Sequence, residues 1–195
     1  MSQIISTTAN EILMHQAREC LRGKWGLAAG TTTLFMLLTA VVQAAPGVGS
    51  IIGLVIGGPL AVGFATFILA IVRNNTPKSS QVFDGFSIFG TALGAYLLQL
   101  LFVMLWTLLL IIPGIIAGLS YSMTYYIIVD DTAIGPLEAI TKSKQMMYGN
   151  KWKLACMSGR FIGWMLLCIP TLGLGLLWLL PYMATSVAEF YEEIR

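Results

Sequence analysis

Three uncharged runs constrain this chain more than any other feature. No Asp, Glu, Lys or Arg occurs across the 48 residues from Trp25 to Val72, the 45 from Gly85 to Val129, or the 28 from Phe161 to Ala188. An α-helix satisfies its backbone hydrogen bonds internally and rises 1.5 Å per residue, so about 20 apolar residues cross a bilayer core. Each long run therefore holds two spans. With 57% hydrophobic and 10% charged residues, and a mean hydropathy of +0.81, the chain lies outside the soluble globular class.

Turn residues divide the runs. Pro46 to Ser50 separates spans at 25–44 and 51–72, and Ile112-Pro113-Gly114 separates 88–111 from 115–129. The third run is too short for two full spans. Its helices are expected at 154–169 and 174–190, with a turn at Pro170 to Gly175 and a kink at Pro181, so the hairpin either thins the bilayer or re-enters without crossing. Pro59 is expected to kink the second span, whose Gly53, Gly57, Gly58, Ala61, Gly63 and Ala65 suit close helix packing.

The segments between the runs are polar. Over 7–22, Ile12, Leu13, Gln16, Ala17, Cys20 and Leu21 recur at helical spacing, which predicts an amphipathic helix lying on the membrane surface. A second interfacial helix is expected from Pro136 to Gly149, with Leu137, Ile140, Thr141, Lys144, Met147 and Tyr148 on one face. Residues 73–86 read as a surface loop, and Asp130-Asp131 as a solvated boundary rather than a cation site. Trp25, Lys151, Trp152 and Lys153 are interface anchors, because ammonium groups stay in water while indoles favour the headgroup layer.

On this map nineteen of the twenty formal charges lie on one side, and Arg160 falls inside a span. Lys and Arg concentrate on the cytoplasmic side of membrane proteins, so both termini are expected there. No cleavable leader is read in the first 24 residues, so the first span both targets and anchors the chain. The fold class is thus all-α, a polytopic bundle of about six spans in three hairpins with cytoplasmic interfacial helices. It forms a single integral membrane domain. Gly23, Gly85 and Gly149 precede the three hairpins, which reads as a threefold repeat of units 7–72, 79–129 and 136–190.

Chemistry is sparse. Cys20, Cys156 and Cys168 have no metal or disulfide spacing and read as apolar packing residues, and His15, the single histidine, reads as an exposed helix residue. No catalytic, cofactor or metal site is expected, and a net charge of +2 with dispersed basic residues does not point to nucleic acid. Arg160 is the costly residue, at about 2.5–3.5 kcal/mol for a mid-bilayer charge. It either snorkels or pairs with Glu189 as a latch, or it binds an anionic group of a lipid or solute.

The strings GGPLAVGF, FDGF, LWTLLLIIPGIIAGLSYS, AITKSKQMMYGNKW and FIGWMLLCIPTLGLGLLWLLPY, with a closing EFY, resemble the bacterial membrane family catalogued as domain of unknown function 975. The resemblance implies an integral membrane protein and transfers no catalytic residue; it also implies a small or apolar residue where this chain has Arg160. The expected function is a non-enzymatic scaffold or accessory component of the bacterial cell membrane, binding lipid, other membrane proteins or itself. The alternative is a small transporter or channel for an anionic or amphipathic solute using Arg160.

Overall fold

A computed structural model describes residues 4–44, 49–168, 170 and 173–195. Pro46 to Val48, and Thr171 and Leu172 of the expected third turn, lie outside the described residues. The elements in order are α1 (Asn10–Leu21), α2 (Trp25–Gln43), α3 (Gly49–Val72), a 3-10 segment (Ser79–Ile88), α4 (Phe89–Leu109), α5 (Ile111–Tyr121), α6 (Thr124–Asp130), α7 (Pro136–Met146), α8 (Lys151–Leu167) and α9 (Leu176–Ile194). The described residues hold no strand, and the fold is all-α.

Four stretches are long and apolar enough to cross a membrane: Trp25–Gln43, Gly49–Val72, Ser79–Leu109 and Ile111–Asp130. They correspond to the first four expected spans. The third hairpin is α8 and α9; α8 has 17 residues, and α9 carries Glu189, Glu192 and Glu193 near its end.

Helix α3 is the axis of the bundle, buried along most of Gly58 to Ile71. Its small residues make this possible. A β-carbon on Gly58 would strike the Ala92 backbone of α4, and one on Gly63 would strike the Val82 carbonyl. Gly85 in turn fits against the Pro59 carbonyl, where a β-carbon would collide. The expected loop 73–86 therefore differs in its second half, which is a 3-10 segment pressed backbone to backbone onto α3. Pro59 and Pro181 both remain inside their helices.

The turn expected at 112–114 lies earlier. Leu110 alone is extended, at φ −162° and ψ 144°, and Pro113 sits in the first turn of α5, where a missing N–H costs no helical hydrogen bond. The expected fourth span is broken at Ser122-Met123. Helix α7 closes that break: Ser143 Oγ donates to the Ser120 carbonyl at 2.9 Å and accepts from Met123 N–H at 3.2 Å. Pairing of freed backbone groups by a neighbouring side chain is what allows a helix to break within a buried region.

The two polar helices pack against protein. Leu13, Ala17 and Leu21 of α1 are buried within the main core, whereas Ile12 of the expected stripe is 52% exposed. In α7 the inward residues are Ala139, Ile140 and Ser143, followed by Met147; Leu137, Thr141, Lys144 and Tyr148 of the expected face point outward. Gly23 and Gly149, at the corners after these helices, both hold positive φ, 79° and 80°, while Gly85 does not. The first and third units thus share a corner conformation that the second lacks.

Burial is uneven along the bundle. The α4–α5 tip is open, with Leu108 82% and Ile111 71% exposed. At the opposite end Lys24 reaches Asn74, Arg73 reaches Asp130, and Lys153 reaches Glu193, so the starts of α2 and α8 and the ends of α3, α6 and α9 gather at one charged end.

Candidate functional site

The charged end is built from residues far apart in sequence. Arg73, just past α3, places Nη2 2.7 Å from Asp130 and 2.6 Å from Glu192, and its Nε donates to Glu192 Oε1 at 2.8 Å. Arg195 lies 3.1 Å from Asp130, and the Tyr191 hydroxyl donates to Asp130 Oδ2 at 2.8 Å. Burial alone pulls the Arg73 guanidinium down, but its hydrogen bonds and charge contacts with Asp130 and Glu192 outweigh that and hold it above its ordinary value. Burial, then the bond to Asp130, pushes the Tyr191 phenol up.

Beside this cluster the N-terminal segment is tied down. Ser6 N–H donates to Asn150 Oδ1 and Asn150 Nδ2 to the Ile4 carbonyl, each at 2.9 Å. Thr8 N–H donates to Glu193 at 3.0 Å, and Ser6 bridges Glu193 and Lys153. Burial would raise the Glu193 carboxyl, but the bonds from Ser6 and Thr8 and the charge of Lys153 hold it below its ordinary value.

Two cavities flank the cluster. A cleft of about 1000 Å³ opens at the charged end, with Lys142, Lys144 and Arg195 as its cations and Asp130 and Asp131 as its carboxylates. A groove of about 430 Å³ lies between α2, α3, α6 and α9, walled by Phe35, Phe64, Ala65, Met183, Ala184 and Val187 among others. Tyr126 lines the groove and Tyr191 the cleft. Their rings stack with centroids 5.3 Å apart, so this pair is the shared wall.

The expected site residues separate. Arg160 does not meet Glu189; its Nη2 contacts Glu11 of α1 at 2.9 Å, with side chains 49% and 76% exposed, and it lines neither cavity. Glu189 instead accepts from Cys20 Sγ at 2.9 Å. Burial, then that contact, pushes the Cys20 thiol up to about 12, which disfavours the nucleophilic thiolate. Cys156 is exposed, a departure from the expected packing role. Of the anchors, Trp152 projects at 79% exposure, Trp25 packs against Tyr182 with centroids 6.5 Å apart, Lys151 is partly exposed, and Lys153 is drawn inward to Glu193.

Sequence reasoning missed the Arg73, Asp130, Glu192 and Arg195 cluster. Its one signal is that each residue stands at a helix end predicted on the same side, which leaves the pairing open. Among the described residues no group of three or more His, Cys, Asp or Glu is placed to hold a metal ion.

The family described as Protein of unknown function (DUF975) matches residues 100–195. That match takes in the strings from Leu105 onward and leaves GGPLAVGF and FDGF outside it. No curated protein and no solved structure matches the chain.

Proposed function

Through residues 100–195 the chain belongs to DUF975, a family of unknown function, and from that premise we propose that it is a non-enzymatic component of a bacterial cell membrane. In this reading it is multi-pass with both termini cytoplasmic, and it acts as a scaffold or accessory that binds lipid, other membrane proteins or a second copy of itself. One observation carries the proposal. At the charged end Arg73 and Lys153 are held by Asp130, Glu192 and Glu193, while the far end offers an apolar surface. Contiguous exposed apolar surface marks a contact with lipid or with a partner. The α8–α9 hairpin, short and acidic at its end, fits re-entry better than crossing.

The transporter alternative rests on the repeat, the breaks at Pro59 and Pro181 and Arg160 inside a span; the contact of Arg160 with exposed Glu11 weighs against the last of these. Reconstitution into vesicles tests the choice. With the full chain at known orientation, anionic solutes are expected to leak no faster than from protein-free vesicles, and photo-crosslinkers at Leu108 and Ile112 are expected to label lipid or a membrane partner. Saturable solute flux that Arg160→Leu abolishes overturns the reading.

A further inference from the structure

The cleft and the groove follow one another along the same two helices. On α9, Leu180, Met183, Ala184 and Val187 face the groove; one turn further, Tyr191, Ile194 and Arg195 face the cleft. These positions recur at three and four residues, so one stripe of α9 serves both cavities. Helix α6 does the same, with Tyr125 and Tyr126 at the groove and Asp130 at the cleft. From Leu180 to Arg195 the stripe extends about 22 Å at 1.5 Å per residue. One leaflet of a bilayer with its headgroups is about 20–22 Å thick.

The chemistry changes along that stripe as it does along a lipid. The groove is apolar, and its volume falls within the range of about 300–1,000 Å³ typical of ligand pockets. At the end nearer the charges it holds Thr32, 3% exposed, whose hydroxyl is buried without a hydrogen-bond partner. Thr33, Thr39 and Thr66 all donate to carbonyls one turn back. A buried hydroxyl without a partner is destabilising, and an ester carbonyl at that depth would relieve it by accepting its hydrogen bond. The stacked Tyr126–Tyr191 pair follows, an amphipathic aromatic step suited to the boundary between hydrocarbon and headgroups. Beyond it Asp130 is already neutralised by Arg73 and Arg195, which leaves Lys142 and Lys144 opposite Asp131 and the cleft net cationic.

We infer that the α6–α9 seam is a binding site for one anionic phospholipid, its acyl chain in the groove and its phosphate-bearing head at Lys142 and Lys144. The inference rests on the membrane reading above and gives it a specific ligand.

The test uses full-length protein in detergent, with native mass spectrometry after addition of phosphatidylglycerol or phosphatidylcholine. One phosphatidylglycerol per chain is expected to be retained, at least about tenfold more tightly than phosphatidylcholine, since each Lys near an anionic head contributes about 1 kcal/mol, or about fivefold. Lys142→Gln with Lys144→Gln, both outside the core, removes that preference. Ala184→Phe fills the groove and weakens retention of both lipids, while Leu108→Phe on the exposed tip leaves both unchanged. Equal retention of the two lipids by the wild type, or an undiminished preference in the double Lys variant, overturns the site. If inorganic phosphate displaces the lipid and Ala184→Phe retains it normally, the cleft holds phosphate alone and the acyl-chain assignment falls. Loss of the site with no solute flux leaves the proposed function standing, whereas flux with intact retention sinks that function and leaves the site.

Discussion

Ser143 and Met123 are joined across a helix break, the Ser143 hydroxyl accepting the Met123 N–H at 3.2 Å while donating to the Ser120 carbonyl. The side chain of one helix thus completes the backbone of another. Ser143→Ala leaves a buried donor and a buried acceptor unpaired, a loss of about 1–3 kcal/mol. Thermal unfolding in detergent is expected to report it, and hydrogen exchange at Met123 should accelerate. An unchanged melting temperature with unchanged exchange at Met123 contradicts the bridging role.

Arg73 and Asp130 form the centre of the charged cluster, with side chains 28% and 20% exposed. Asp130→Ala leaves Glu192 as the one carboxylate shared by Arg73 and Arg195 and takes the acceptor from the Tyr191 phenol. Complete burial would make such a loss about 3–5 kcal/mol; with this exposure about 2 kcal/mol is expected. Arg160→Leu makes a contrasting case, because exposed pairs contribute about 0–1 kcal/mol. Denaturation midpoints should rank the two variants in that order.

Glycine substitutions separate packing from propensity. Gly63→Ala drives a methyl into the Val82 carbonyl, an overpacking that costs about 1–3 kcal/mol or more. A β-carbon on Gly26 meets nothing within 4 Å, so Gly26→Ala is neutral or stabilises α2 by up to about 1 kcal/mol. Equal stability of the two variants contradicts the close approach of the 3-10 segment to α3.

The clamp on residues 4–8 responds to acid. The Glu193 carboxyl lies below its ordinary value of 4.5 when folded, so it binds protons less readily than in the unfolded chain. Its contribution is complete above that ordinary value and disappears as pH falls through the depressed one. Proteolysis of the N-terminal segment is expected to speed up over that acidic window, and Glu193→Gln should cleave readily at every pH. A pH response that survives Glu193→Gln assigns the titration elsewhere.

The helices were legible because hydropathy and charge are properties of consecutive residues. The uncharged runs located α2, α3 and α4 to within a few residues, and the small residues of α3 announced its close packing. Contacts between distant residues were not legible. Nothing near Arg160 names Glu11, and Glu189 stands close enough in the predicted hairpin to look like its partner. The break at Ser122-Met123 is also silent, since the side chain that bridges it, Ser143, lies on a helix read as interfacial. The groove and cleft depend on α6 and α9 lying side by side, a relation that no run of consecutive residues specifies.

The extended Leu110 between α4 and α5 has a consequence for biogenesis. A helix pair joined through one apolar residue carries no hydrated loop at its apex, so nothing polar must be dragged through hydrocarbon as the pair enters. Such a hairpin can be threaded in from one face in a single motion. Lengthening its apex with a few Lys residues should stall it at the surface while leaving the rest of the sequence untouched.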